Sequence, residues 1–360
     1  FLKIKTNYSL YYYTIISFFG TILISFLALF LNFILPLDPF LNTFLYFFMV
    51  INFLFLFKEN KKKNELAKFV IFASFGIFLL LLLSNIYRPD AGLYHYPYVN
   101  ILNENKIILG ISNIHHRFGH TSIFQYLSAS HYNLILGLNG IVIPAASLAI
   151  YVIINLITNI LRIQNFSLSK IFSIFILFYV SYKMNRYSEY GNDAPAHFTF
   201  FLTISIFLNH IEKNILFKKN EIIYLILILS IFTFLNKTFL ILTLILPLLI
   251  YPKYLFKNLL NYKILFISLF FISWIIKNYL TTGCGIYPLP ITCFGFSWTN
   301  LEYLSNVKDV AIGSEAWAKD WSNQKGIVLS YEEYLSNYEW IKIWFNNQFF
   351  EVLIIVGPYI

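Results

Sequence analysis

Along this chain the polar residues come in short groups, and between them apolar residues run on without alternating. The runs recur in windows of about 20 residues, each long enough to cross roughly 30 Å of hydrocarbon. In lipid only helices and closed barrels satisfy their own backbone polar groups, and continuous apolar runs are the helical signature. Spans are therefore predicted at 9–34, 40–57, 67–86, 133–160, 171–186, 195–211, 222–235, 238–251 and 264–280, with another starting near 346. Asn236-Lys237 interrupts a stretch of about 30 apolar residues, which favours a tight helical hairpin over one long helix.

This pattern predicts an all-α fold, a polytopic transmembrane helical bundle of nine to ten spans, with a lipid bilayer as its first partner. It divides the chain into an N-terminal pair of helices (1–66) and a transmembrane core (67–280) that includes a first loop at 87–132. A long loop (281–345) and the start of a further helix (346–360) complete it. The chain starts at Phe1 rather than Met and stops inside an apolar run, so more helices are expected beyond one or both ends.

Composition sharpens the class. Hydrophobic residues make up 58% of the chain, charged residues 12%, and mean hydropathy is +0.67, which excludes a soluble globular domain. The charges are also sorted by side. The N-terminus and the connections 58–66 (with Lys68, just inside the next span), 161–170, 212–221 and 252–263 carry a net charge of +11, the other side −2, together the +9 of the whole chain. By the positive-inside rule the basic side is cytoplasmic. The surplus is thus explained by topology and gives no argument for nucleic-acid binding. The expected location is the bacterial inner (cytoplasmic) membrane, multi-pass, with 87–132, 187–194 and 281–345 on the periplasmic face.

The candidate chemistry lies on that outer face. Residues 87–131 hold five of the seven histidines (His95, His115, His116, His120 and His131) together with Asp90 and Arg117. Asp90, at the end of the third span, suits a general base or a ligand to a hard cation; it suits an ordinary helix cap as well. Asp193, in GNDAP at the mouth of another span, either caps that helix or pairs with Asp90 as an acid/base or metal-binding couple. His116 and His120 stand four apart, but no zinc spacing accompanies them. His115, His116 and Arg117 read better as an anion-binding patch, because the guanidinium fork suits phosphate. Lys237 is an isolated charge at the membrane edge, either snorkelling or meeting a lipid-linked phosphate; Arg186 is a weaker candidate for that role. Cys284 and Cys293 could close a disulfide in an oxidising compartment, or remain free thiols. Trp298, Trp317, Trp321, Trp340 and Trp344 suit a membrane interface or the faces of sugar rings.

Taken together, these residues resemble the GT-C class of polytopic membrane glycosyltransferases. In that class an acidic residue on the first outer loop is followed by juxtamembrane helices. The strings D-x-G-L-Y-H (90–95), L-G-I-S-N-I-H-H-R-F-G (109–119), G-N-D-A-P (191–195) and N-Y-L-T-T-G-C-G-I-Y-P (278–288) also resemble a group of bacterial multispanning proteins associated with surface polysaccharide. The resemblance covers about residues 67–345. It implies outer-face juxtamembrane helices and transfer of a sugar from a polyprenyl-phosphate-linked donor at the periplasmic face. It also implies Asp90 as the base or metal-supporting carboxylate, with Asp193 assisting. His95, His115, His116, Arg117 and Lys237 would contact substrate or phosphate, and a divalent cation, if used, would fall to Asp90 and Asp193. The chain departs from that class in having two extra spans before the Asp90 loop and no acidic pair directly after the helix. Two other readings stay open: an O-antigen polymerase or ligase, and a transporter or flippase without covalent chemistry. The near absence of mid-span charge favours surface chemistry over transport.

Overall fold

The computed structural model describes residues 10–59, 62–83, 89–184, 190–212, 219–250, 252–299, 302–324, 326 and 328–357. Among them the chain is helical and has no strands; two isolated bridges, Asn133–Gly137 and Cys284–Cys293, are its only extended pairings. Among the described residues six helices are long and apolar enough to span a membrane. They are α1 (Leu10–Asn32), α2 (Pro39–Glu59), α3 (Lys63–Leu83), α6 (Ile143–Arg162, entered through a 3₁₀ turn at Leu138–Val142), α8 (Asp193–Ile211) and α12 (Tyr262–Thr282). Between them in chain order lie α4 (Tyr96–Glu104), α5 (Ile123–Ala129) and α7 (Leu168–Tyr182), then α9 (Lys219–Asn236), α10 (Leu246–Ile250) and α11 (Pro252–Lys257).

Three of the remaining expected spans are the shorter apolar helices α7 and α9 and the Thr238–Ile250 segment, and the one expected to start near 346 falls within a helix at Glu339–Val356 that is not among the six. The Thr238–Ile250 segment begins as a 3₁₀ turn at Thr238–Ile245. Lys237 breaks the helix with an extended backbone (φ −150°, ψ 110°), and Thr243 Oγ1 then donates to Ser230 O across 3.2 Å. The chain therefore doubles back at Asn236-Lys237, because one residue has left helical geometry.

The chain forms two compact units: residues 1–107 with 121–274, and residues 108–120 with 275–360. In the first, α1 is the central element. Its Phe18, Ile22 and Leu29 are buried, and it packs against α5 and α6. Helices α2 and α3 leave Phe40, Phe44, Phe48, Ile71, Phe72 and Phe75 well exposed, as lipid-facing residues should be. α5 is not a surface element: all seven of its residues are buried, beneath a capping box made by Ser122 and Gln125. Three buried asparagines tie this polar region down. Asn32 Nδ2 donates to Asn105 O (2.9 Å). Asn42 Nδ2 donates to Leu37 O, Ala129 O and Tyr132 O (2.7, 2.9 and 2.7 Å), and Asn103 Nδ2 to the same Leu37 O and Ala129 O (2.6 and 2.8 Å). Carbonyls that leave regular helices are thereby satisfied in a dry interior.

In the second unit, Gly110 N donates to Leu280 O (2.9 Å) and Asn113 Nδ2 to Trp298 O (2.7 Å), which draws 108–120 to the 275–299 segment. Gly110 has φ +63°, and a Cβ there would stand 2.6 Å from Trp298 O, so the position requires glycine. Cys284 and Cys293 are joined by a disulfide. Helices α13 (Tyr303–Ala318), α14 (Tyr331–Ser336) and α15 (Glu339–Val356) follow. Tyr334 Oη donates to Lys319 O (2.8 Å) and Trp321 Nε1 to Leu329 O (2.8 Å), fixing the turn between α13 and α14.

Candidate functional site

The site in the first unit is assembled from four stretches distant in sequence. A π-helical turn, Ala91–His95, opens the first polar loop and is closed by Tyr96 N–H donating to Ala91 O. Asp90 stands at its start, exposed, with a side chain that makes no capping hydrogen bond. One turn later His95 is buried, its ring edge-on to Tyr190 at 6.3 Å. Tyr96 stacks flat on Tyr190 (4.6 Å, 8°), and Phe124 of α5 stands 6.1 Å from the same ring. The His95 ring also lies against Gly191: a Cβ there would stand 3.5 Å from Nε2, an ordinary van der Waals contact.

Two residues on, Asp193 opens α8 with Pro195 in its first turn. Its carboxylate Oδ1 accepts from Lys237 Nζ, on the hairpin turn 44 residues later. Both side chains are about two-fifths exposed, 39% for Asp193 and 40% for Lys237. An ion pair this open contributes little to folding, about 0.2–1 kcal/mol. The neighbouring Asn236 is buried, and Ser122 Oγ donates to its Oδ1 at 3.4 Å, a long contact between the first loop and the hairpin turn. Directly after Lys237, Phe239 and Leu242 are 79% and 72% exposed. The arrangement is thus a carboxylate–ammonium pair at the mouths of two apolar helices, flanked by a tyrosine–histidine wall and an open apolar turn.

The other candidates have different surroundings. His115, His116 and Arg117 form an exposed 3₁₀ turn in the second unit, where His115 Nδ1 accepts from Arg117 N (3.2 Å) and the two imidazoles stack at 4.7 Å. Burial, aided by the charges of His115 and Arg117, lowers the His116 pKa. His120 packs edge-on against Tyr287 (5.1 Å); burial, with Arg117 and His116, brings its pKa down to about 4. At neutral pH these two imidazoles are therefore neutral, so Arg117, not His116 or His120, supplies the positive charge of the turn. His131 is a core histidine, its Nδ1 on Leu127 O at 2.8 Å. Among the described residues no three His, Cys, Asp or Glu side chains are grouped to hold a metal ion, and a cation on Asp193 would have to displace Lys237. Arg186 lies outside the described residues.

The sequence pattern gives Tyr190 and Ser122 no role in the site and marks Asn236 only as part of the hairpin break. Ser122 does carry a capping signal, the S-x-x-Q spacing ahead of IFQYLSA. Sequence reasoning also passes over Lys277, fully buried in α12, although a charge inside an apolar span marks a functional candidate by default.

Fold and site define a class, a multi-pass helical membrane protein with a polar site at the ends of its spans. Within that class the whole chain, residues 1–360, matches the family described as Domain of unknown function (DUF8201), and it belongs to that family. No curated protein and no solved structure matches it.

Proposed function

We propose that the chain is an inner-membrane glycosyltransferase of the GT-C type. It would move a sugar from a polyprenyl-phosphate-linked donor to an acceptor at the periplasmic face, in surface-glycan assembly. The observation that carries this reading is the half-open Asp193–Lys237 pair, seated beside the loop that holds Asp90 and His95. Such a donor has a phosphate at headgroup depth and an isoprenoid tail. Lys237 suits the first, and the exposed Phe239 and Leu242 suit the second.

In the reaction the acceptor hydroxyl oxygen bonds to the anomeric carbon while the bond from that carbon to the phosphate oxygen breaks. The hydroxyl proton passes to a carboxylate. In this reading Asp90 is that base, because its side chain is exposed and makes no cap. Lys237 meets the charge that grows on the departing polyprenyl phosphate. Asp193 is a positioning residue, holding the ammonium at the helix mouth until phosphate arrives. His95, pressed against the Gly191 turn, keeps the Asp90 turn and the Asp193 turn in register.

The test is complementation of a strain deleted for this gene, reading surface glycan by mass spectrometry and protein level by immunoblot of membranes. Asp90→Asn should remove the sugar at wild-type protein level. Lys237→Met should also weaken retention of polyprenyl phosphate by the purified protein, at least tenfold. Normal glycan in Asp90→Asn cells would end the mechanism. Normal polyprenyl phosphate binding by Lys237→Met would end the role of Lys237.

A further inference from the structure

The first unit contains a cavity far from Asp193. Asp193 opens α8 and Glu212 follows its last residue, so the 19-residue helix separates them by about 28 Å at 1.5 Å per residue. At the Glu212 end, α8 meets the last turn of α6 and the first turn of α7 around a cavity of about 840 Å³. This is the side on which the chain concentrates its positive charge.

The lining is built. Arg162, the last residue of α6, donates from Nη2 to Asn159 Oδ1 and Asn209 Oδ1, both at 3.2 Å, and its guanidinium lies 4.8 Å over the Tyr11 ring. Three neighbours on three helices thus fix the fork in one orientation. Glu212 is committed elsewhere: it accepts from Leu168 N (2.5 Å) and Ser169 N (3.2 Å) and so closes the N-terminus of α7. Burial pushes its carboxyl up, but hydrogen bonds from Ser169, Ser167 and Leu168 outweigh that and hold it below the usual value. Lys170 Nζ donates to Ile163 O (2.9 Å), adding a second cation beside the cavity. Across the opening, Phe166 is 81% exposed and Leu168 48%, an apolar rim at the end of membrane-spanning helices.

A fixed guanidinium inside, a lysine beside it and an apolar rim outside match one ligand chemistry: a phosphate ester carrying an apolar tail. We infer that the Arg162–Phe166 cavity is a binding site for an anionic phospholipid, with the phosphate on Arg162 and an acyl chain along Phe166 and Leu168. The site is independent of the proposed transferase reaction and lies at the opposite end of α8.

Arg162 also holds α6 to α8, so its removal would confuse binding with folding. Gln164 and Asn165 are exposed on the cavity wall, and Gln164→Asp with Asn165→Asp places negative charge there without touching that contact. The purified full chain is given phosphatidylglycerol or phosphatidylcholine with the same acyl chains. Retained lipid is counted by native mass spectrometry, and the Tm is followed in parallel with lipid or with inorganic phosphate. Wild type should keep one phosphatidylglycerol at least fivefold better than phosphatidylcholine. The double variant should lose that preference while its lipid-free Tm stays unchanged. Equal retention of the two lipids by wild type, or undiminished phosphatidylglycerol preference in the variant, would overturn the site. A Tm rise given equally by inorganic phosphate would assign a water-soluble phosphate ligand and overturn the lipid.

Discussion

Replacing Asn42 and Asn103 by alanine, singly and together, tests how the first polar loop is held. The two amides share acceptors: both donate to Leu37 O and Ala129 O, and Asn42 alone reaches Tyr132 O. Both side chains are buried, at 0% and 4% exposure. An amide NH2 has only two hydrogens, so at about 1 kcal/mol net for each, Asn42→Ala and Asn103→Ala should each cost about 2 kcal/mol. In either single variant the remaining asparagine still serves both shared carbonyls. In the double variant Leu37 O loses both amides, and a buried carbonyl left unpaired adds about 1–3 kcal/mol. Ala129 O keeps a long contact from Tyr132 N at 3.3 Å, so most of the excess comes from Leu37. The double variant should therefore exceed the sum of the singles by well over the scatter of about 0.3–0.5 kcal/mol expected for independent sites. Unfolding in mixed micelles, followed by intrinsic fluorescence, measures all four corners of the cycle. A double variant equal to the sum would show that the amides do not share their acceptors, and the account of this clamp would fail.

Four further outcomes follow from the same reasoning. The His120 pKa is lowered on folding, so its contribution is present above the unfolded value of about 6.5 and is lost as pH falls toward about 4, about 3 kcal/mol in all. His120→Gln should flatten that acid-side decline in a Tm-against-pH series. Gly140→Ala would put a Cβ 2.0 Å from the His131 carbonyl oxygen, a backbone clash that should cost more than about 3 kcal/mol and lower the yield of folded protein. Reducing Cys284–Cys293, nine residues apart, should destabilise the 275–360 unit by about 2–3 kcal/mol on loop-closure grounds, seen as a lower Tm in reductant that Cys284→Ala/Cys293→Ala reproduces without it. Lys237→Met should change thermal stability by less than about 1 kcal/mol, since its ion pair is open to solvent. A larger loss would mean the pair is structural.

The spans were legible because burial in lipid imposes one requirement, continuous apolar length, which sequence shows directly. The hairpin at Asn236-Lys237 was legible for the same reason: two polar residues stand where one long helix would need apolar ones. Asp193 and Lys237 could each be placed at a membrane edge, but their contact could not, because it joins turns 44 residues apart and depends on how α8 packs against α9. The histidine-rich segment 87–131 misled in another way. Composition marked 87–131 as one surface segment, yet its 108–120 portion joins the disulfide-bearing unit and its 123–129 portion is wholly buried. What decides those fates is which carbonyls Asn42, Asn103 and Asn113 satisfy, and hydrogen-bond partners leave no periodic trace in sequence.

The two ends of α8 deserve a mechanical reading. Hydrogen-bonded turns make such a helix stiff along its axis, and this one carries Asp193 on its first turn and is followed by Glu212, clasped to the start of α7. A slide of that rod by one ångström at Glu212 therefore arrives at Asp193 as nearly the same ångström. Strain applied at one membrane face is delivered to the carboxylate at the other, with no hinge on the way to absorb it.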